Sequence, residues 1–168
     1  MPIETIRGPW KVATPPIVHW RNWPVSAVVI DSSVLGAWIM EDEPAHDAAV
    51  RLMARVGDGE LEPVLAGHVQ FELRHALVRA ARRGRIGWDD LPYWFDALDA
   101  LEATIVPLAS KDAPVLALAK QHQLTWSDAH WVEVAVRLDL PLLTADRRLV
   151  RSVPDDVAIL VDVRDAAA

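Results

Sequence analysis

Two short aliphatic runs, Ala27-Val28-Val29-Ile30 and Pro141-Leu142-Leu143-Thr144, each lead into an acidic residue and then at once into a helical pattern. Runs of this kind are buried strands, and buried strands that alternate with helices build a parallel sheet. In open sheets of that type, ligands bind outside the carboxyl ends of the strands. Asp31 and Asp146 stand at those positions. The pattern therefore restricts the chain to an α/β architecture and directs attention to its acids.

The rest of the chain from Ala27 onward keeps the alternation. SSVLGAWIM carries apolar residues at Val34, Leu35, Trp38 and Ile39, the spacing of a helix with one buried face. Pro44 is expected to start a second helix, which Gly57-Asp58-Gly59 stops. A strand over 63–66 and a helix over 68–83 follow, then a helix over 88–101 with Pro92 in its first turn. A strand over 104–106 and a helix over 113–122 come next. Ser127 is the expected N-cap of a helix over 128–138. A strand at 142–144, a short helix RRLV capped by Asp146, and a strand at 157–160 complete the pattern. Five strands separated mostly by helices imply a doubly wound parallel sheet. Residues 1–25, with Pro2, Pro9, Pro15, Pro16 and Pro24 among three tryptophans, read as an irregular arm. Residues 26–164 read as one domain, and 165–168 as a frayed tail.

Composition limits the function classes. A chain of 168 residues, 52% hydrophobic and 24% charged, can bury one sizeable core. It has no cysteine, which excludes disulfides, thiolate zinc sites and thiol nucleophiles. No apolar run approaches a membrane span, and prolines and charges break the N-terminus where a signal peptide needs a continuous apolar core, so the expected compartment is the cytoplasm. The net charge of −7 disfavours nucleic-acid binding through the overall field. A carboxylate metal site, however, is itself a source of negative charge that bound cations neutralise. Local basic groups then matter more: Arg79, Arg82 and Arg83 share a helical face, with Arg85 beyond, and Arg147, Arg148 and Arg151 follow the last acid.

Four acids are candidates for a joint site: Asp31, Glu72, Asp128 and Asp146. Each has a structural explanation as an N-cap, as a first-turn acid meeting the helix dipole, or as a solvated surface group. A parallel sheet brings Asp31 and Asp146 to one edge, while periodicity alone does not place Asp128. Six histidines at 19, 46, 68, 75, 122 and 130 form no zinc-type pair, although His130 lies within a turn of Asp128. Ser32 and Ser33 lack a nucleophile elbow, and there is no glycine-rich phosphate loop.

The segments VVIDSSVLGAW, HVQFELRHAL, LTWSDAHWVEVA and LPLLTADRRLV resemble, in order, the four motifs of PIN-domain nucleases, most closely those of VapC-type toxins. The resemblance spans residues 28–161. It implies a PIN-like three-layer fold, with a central parallel sheet of about five strands flanked by helices. It implies that Asp31, Glu72, Asp128 and Asp146 are the catalytic, metal-binding set, supported by the hydroxyl of Thr144. It also implies an endoribonuclease that uses Mg²⁺ or Mn²⁺, leaves a 5′-phosphate, and is held inactive by a small cognate antitoxin. Ser33 replaces a frequent Asn two residues after the first acid, and Ser127 replaces a frequent aromatic residue before the third. Neither change removes a carboxylate.

The residue types suit that chemistry. Hard cations take oxygen ligands, and Mg²⁺ keeps several waters, which leaves room for a phosphate and an attacking water. Arg79, Arg82, Arg83 and Arg147 are the candidate RNA-backbone contacts. Trp88, Trp94 and Phe95 mark a surface for a homodimer or the antitoxin. Three rivals stand beside the nuclease: a catalytically weak PIN-like module binding protein or RNA, an Asp-nucleophile phosphatase, and a receiver-type phosphoacceptor. The phosphatase chemistry usually needs a second Asp two positions after the first, where this chain has Ser33.

Overall fold

The computed structural model describes residues 11–12 and 27–166. The irregular arm expected over 1–25 lies outside the described residues apart from Lys11–Val12, which form a two-residue strand, β1. The strands that follow are β2 (Ala27–Ile30), β3 (Glu62–Ala66), β4 (Thr104–Val106), β5 (Leu142–Thr144) and β6 (Leu160–Asp162). The helices are α1 (Ser32–Ile39), α2 (His46–Gly57), α3 (Val69–Arg82), α4 (Leu91–Ala100), α5 (Ala113–His122), α6 (Trp126–Leu138), α7 (Arg147–Ser152) and α8 (Val163–Ala166). A 3-10 turn at Trp88–Asp90 leads into α4, with Pro92 in its first turn.

All pairings in the sheet are parallel, in the order β1-β4-β3-β2-β5-β6. Five strands belong to the domain expected from the sequence, and β1 adds an edge by pairing Lys11 with Thr104 and Val12 with Ile105. β2 lies inside the sheet, and all four of its residues are buried, as a strand covered by helices on both faces requires. From β2 the chain winds through β3 to β4 on one side and then crosses back to β5 and β6 on the other. The gap between β2 and β5 is thus the topological switch point, the place where an open α/β sheet forms a crevice beyond its strand ends. The register Ile30↔Leu143 puts Asp31 and Thr144 at that crevice together.

The helices flank the sheet. α6 lies across β2, β3 and β5 with α5 packed along it, which explains why α6 is buried on nearly every side, including Trp131, Val132, Val134 and Ala135. α1 packs against α2 and α3, and α2 is covered in turn by α8. No described helix is long and apolar enough to cross a membrane.

Several boundaries differ from expectation for local reasons. Pro44 sits in the turn before α2, which begins at His46. The last strand starts at Leu160 rather than at 157, because a turn closed by Val157 N–H donating to Pro154 O at 2.9 Å takes up the first residues. α8 runs to Ala166, inside the tail expected over 165–168, and residues 167–168 lie outside the described residues.

Leu142 is fully buried in β5, where it pairs with Val29 and Leu160. Leu142→Ala should lower unfolding free energy by about 2–5 kcal/mol, read from the urea midpoint at constant slope. Val136→Ala, on an exposed part of α6, should change it by less than about 0.5 kcal/mol.

Candidate active site at the carboxyl edge of the sheet

Asp31 is the N-cap of α1 and only 5% exposed. Its Oδ2 accepts a 2.6 Å hydrogen bond from Thr144 Oγ1 and one of 2.8 Å from Ser33 Oγ, and its Oδ1 accepts from Ser33 N–H at 3.2 Å. Thr144 is fully buried and is shared further, because its Oγ1 accepts the Asp146 N–H at 3.0 Å. Ser33 Oγ accepts the Ala145 N–H at 3.0 Å. Two hydroxyls thus fasten the turn after β5 to the carboxylate after β2. Burial pushes the Asp31 carboxyl above its ordinary 3.8; the hydrogen bonds oppose this, and the charge of Glu72 adds to it.

Glu72 lies in the first turn of α3 and belongs to a second network. Its Oε1 accepts from Ser127 Oγ at 2.7 Å and its Oε2 from Trp131 Nε1 at 3.0 Å, with His68 Nε2 3.3 Å from Oε2. Burial alone would raise its pKa, but the hydrogen bonds from His68, Ser127 and Trp131 outweigh it and hold the group at about 2. Ser127 has one proton and gives it to Glu72, so His68, 3.1 Å from Ser127 Oγ, donates through Nε2. Its Nδ1 is left buried without a partner.

Asp128 sits in the first turn of α6. The Ser127–Glu72 bond brings that end of α6 to the start of α3, which follows β3, so Asp128 is at the same edge as the other acids. Ser127 is not the N-cap expected from sequence. α6 begins earlier, at Trp126, and Thr125 caps it by accepting the Asp128 N–H at 3.1 Å, which frees Ser127 for Glu72. Asp146 caps α7 as expected, accepting from Arg148 N at 2.7 Å and Leu149 N at 3.3 Å. The Arg148 guanidinium reaches both remaining acids, with Nη2 3.3 Å from Asp128 Oδ2 and 3.8 Å from Asp146 Oδ2. Two carboxylates that share one cation have room for a cation between them. Among the described residues no three His, Asp or Glu side chains form a ready-made ligand set for a metal ion.

A cleft of about 790 Å³ opens at this edge, lined by Ser32, Ser33, Glu72, Ser127 and Asp146 and by an apolar wall that includes Met40, Phe71, Leu108 and Trp126. Arg79 lines it, whereas Arg82 and Arg83 are exposed outside it. Arg147 pairs with the buried Asp162 at 3.0 Å. His130 lines the cleft too, and burial together with the neighbouring His68 lowers its pKa. Sequence reading missed His68 and Trp131 as partners of Glu72. The spacing of His68 and Glu72, four residues apart at a helix start, is a signal that was available. Nothing local marks Trp131, which reaches Glu72 from another helix.

The PIN domain family model matches residues 28–153, and the chain belongs to the PIN domain family. No curated protein sequence matches the chain. Among solved structures, PAE2754 from Pyrobaculum aerophilum is similar at TM-score 0.64 and 23% identity, covering 89% of this chain and 92% of that one. VapBC2 from Rickettsia felis, solved with a DNA fragment from its promoter, is similar at TM-score 0.57 and 12% identity over 80% of this chain and 97% of that one. VapC20 from Mycobacterium tuberculosis, described as a sarcin-ricin loop cleaving toxin, is similar at TM-score 0.52 and 14% identity over 74% and 94%. At such identities the likeness establishes the fold, which this chain shares with VapC toxins.

The two shifted carboxyls have opposite effects on stability. Asp31, raised above 3.8, contributes most in acid and loses that contribution as pH rises through its folded value. Glu72, held at about 2, contributes fully above its ordinary 4.5 and loses this as pH falls through about 2. In chelator, the stability of Asp31→Asn relative to wild type should therefore increase as pH rises above 3.8. Glu72→Gln should flatten the acid limb of the urea-midpoint profile. A pH-independent Asp31→Asn difference would show that burial does not control that carboxyl.

Proposed function

We propose that the chain is a toxin-type endoribonuclease, cleaving RNA phosphodiester bonds with Mg²⁺ or Mn²⁺ held by Asp31, Glu72, Asp128 and Asp146, and neutralised by a small cognate antitoxin. The observation that carries this reading is that Glu72 and Asp146 line one cleft at the carboxyl edge of the sheet while Asp146 shares Arg148 with Asp128 and, through Thr144, a hydroxyl with Asp31, although among the described residues no three of these acids stand as a ready-made ligand set. Membership of the PIN family supports it, as do the folds of VapBC2 and of the sarcin-ricin loop cleaving toxin VapC20. Hard oxygen donors suit these cations, and the guanidinium shared by Asp128 and Asp146 is a positive charge standing where a cation is needed. When bound there, such an ion would supply an activated water and offset the negative charge that develops at the phosphate.

The chain's own residues do the rest. Thr144 and Ser33 fix the Asp31 carboxylate and, through the Asp146 and Ala145 N–H groups, set Asp146 against it. Ser127 and Trp131 hold both oxygens of Glu72, keeping it ionised at any physiological pH. Arg148 balances Asp128 and Asp146, two of the acids that would hold the cation. We place action in the cytoplasm, and a homodimer or antitoxin surface on the segment of Trp88, Trp94 and Phe95, of which Trp88 is exposed while Trp94 and Phe95 are partly buried against the core.

With Mn²⁺ the purified protein should cut single-stranded RNA, and Asp31→Asn and Asp146→Asn should each cut at least about 100-fold more slowly while keeping a native circular dichroism spectrum. Asn keeps the volume and most of the capping ability of Asp and removes only the charge. RNA left uncut by wild type, or cut equally fast by both variants, would point instead to a binding module on the same fold. Arg148→Ala should bind Mn²⁺ more tightly than wild type by titration calorimetry, since no guanidinium has to leave. Weaker binding would make Arg148 a support of the site rather than a placeholder.

A further inference from the structure

Asp146 is also held from the side of β5 that faces away from β2, where β6 ends. The register of β5 and β6 sets Asp162 beside Thr144. Asp162 is buried, and its Oδ2 accepts from Arg147 Nε at 3.0 Å and from Arg164 Nη2 at 2.7 Å. Its Oδ1 accepts the Arg164 N–H at 3.0 Å where α8 begins, with Arg164 Nε 2.7 Å away. Burial opposes the ionisation of Asp162, but the hydrogen bonds from Arg164 and Arg147 outweigh it and hold the carboxyl below its ordinary 3.8. The same Arg164 Nη2 donates to Ala145 O at 3.0 Å. Both chain neighbours of Asp146 are therefore tied to one carboxylate, Ala145 through Arg164 and Arg147 directly.

We infer that Arg164, oriented by Asp162, is a positioning residue for Asp146 as a ligand of the divalent cation. The inference rests on the nuclease reading and adds to its site two residues that lie beyond the stretch 28–153 matched by the family model. A buried ion pair gives little net stability over apolar side chains of the same volume, because desolvation consumes most of the Coulomb gain. What Arg164 supplies is direction. A planar guanidinium that meets Asp162 through both Nε and Nη2 has one orientation, and that orientation aims Nη2 at the Ala145 carbonyl. The carbonyl of Ala145 and the N–H of Asp146 belong to one planar peptide unit, so fixing the first fixes the second. That N–H is the one Thr144 Oγ1 accepts at 3.0 Å. A hydroxyl that also serves Asp31 and a guanidinium set by Asp162 thus clamp, from opposite ends, the peptide from which the Asp146 side chain departs. Partners behind a metal ligand act in this way, by holding the ligand in the orientation the ion requires. Arg147, drawn to Asp162, leaves Arg148 as the guanidinium that faces Asp128 and Asp146.

The test compares the full chain with Arg164→Lys, which keeps a positive charge beside Asp162 but lacks the fork. Its Mn²⁺ affinity by titration calorimetry should fall about tenfold to a hundredfold, the usual effect of losing a partner behind a metal ligand. Hydrogen exchange without metal gives a second reading, because Asp146 Oδ1 caps the Arg148 and Leu149 amides. Those two amides should exchange about fivefold faster than in wild type, beyond any shift common to all amides, as for a weakened N-cap. Asp162→Asn should do the same, since it keeps an acceptor for the Arg164 N–H and loses the charge that orients the fork. If either single variant fails to fold, Asp162→Asn combined with Arg164→Gln leaves no buried charge unpaired, and the same two losses are expected of it. Leu98→Ala, buried in α4, controls for lowered stability and should change neither reading. Unchanged Mn²⁺ affinity in the Arg164 and Asp162 variants overturns the inference, as does a loss that Leu98→Ala reproduces. Affinity lost while the Arg148 and Leu149 amides stay protected overturns it too, because the pair then acts through charge and not through the orientation of Asp146. Loosened amides in a protein whose wild type takes up no Mn²⁺, or takes it up and leaves RNA uncut, defeat the nuclease reading and leave the hold on Asp146 standing.

Discussion

The site depends on a buried carboxylate that has been given hydroxyls rather than a counter-charge. An ionised group at the depth of Asp31 is costly unless its lone pairs are satisfied. Thr144, 113 residues away in sequence, and Ser33, two residues on, satisfy them. Because Thr144 also accepts the Asp146 N–H, the same hydroxyl that makes Asp31 tolerable fixes the direction of the chain leaving β5. A guanidinium in that position would have neutralised Asp31. Hydroxyls leave its charge available.

The four acids are handled in two ways. Asp31 and Glu72 are held by neutral donors, from serine and threonine hydroxyls, an indole and an imidazole, in networks specific enough to define their orientation. Asp128 and Asp146 share one arginine, Arg148. The first pair is fixed by hydrogen bonds from neutral groups, and the second is balanced by a single positive charge. The division follows the elements around each acid: Asp31 follows the interior strand β2 and Glu72 faces α6, whereas Asp128, in the first turn of α6, and Asp146, the cap of α7, both lie within reach of Arg148.

Much of this arrangement was legible in the sequence because parallel strands buried on both faces leave an unbroken apolar signature. AVVI, TIV and LLT were placed to the residue, and Asp146 was read correctly as both cap and edge residue. The errors arose where short-range rules compete. Thr125 and Ser127 are both good caps two residues apart, and only the demand of Glu72 for a donor decides between them. The last strand was read three residues early because Val157, Ala158 and Ile159 are as aliphatic as a strand, and nothing local shows that the turn after Pro154 uses them up. Trp131 could not be recognised as a partner of Glu72, because a helix pattern gives the buried face and not the group across from it. The raised carboxyl was foreseeable, but its cause is mainly burial, with crowding by Glu72 secondary.

The order of the strands has one further consequence, for the cell that makes this protein. β5 is inserted between β2 and β6, so the first acid waits for a partner hydroxyl that is encoded near the other end of the chain. A ribosome that has synthesised β2, β3 and β4 has produced most of the core and none of the completed site. If the completed site is destructive, every product that stops before β5 is harmless, and the hazard appears only once β5 has entered the sheet beside β2.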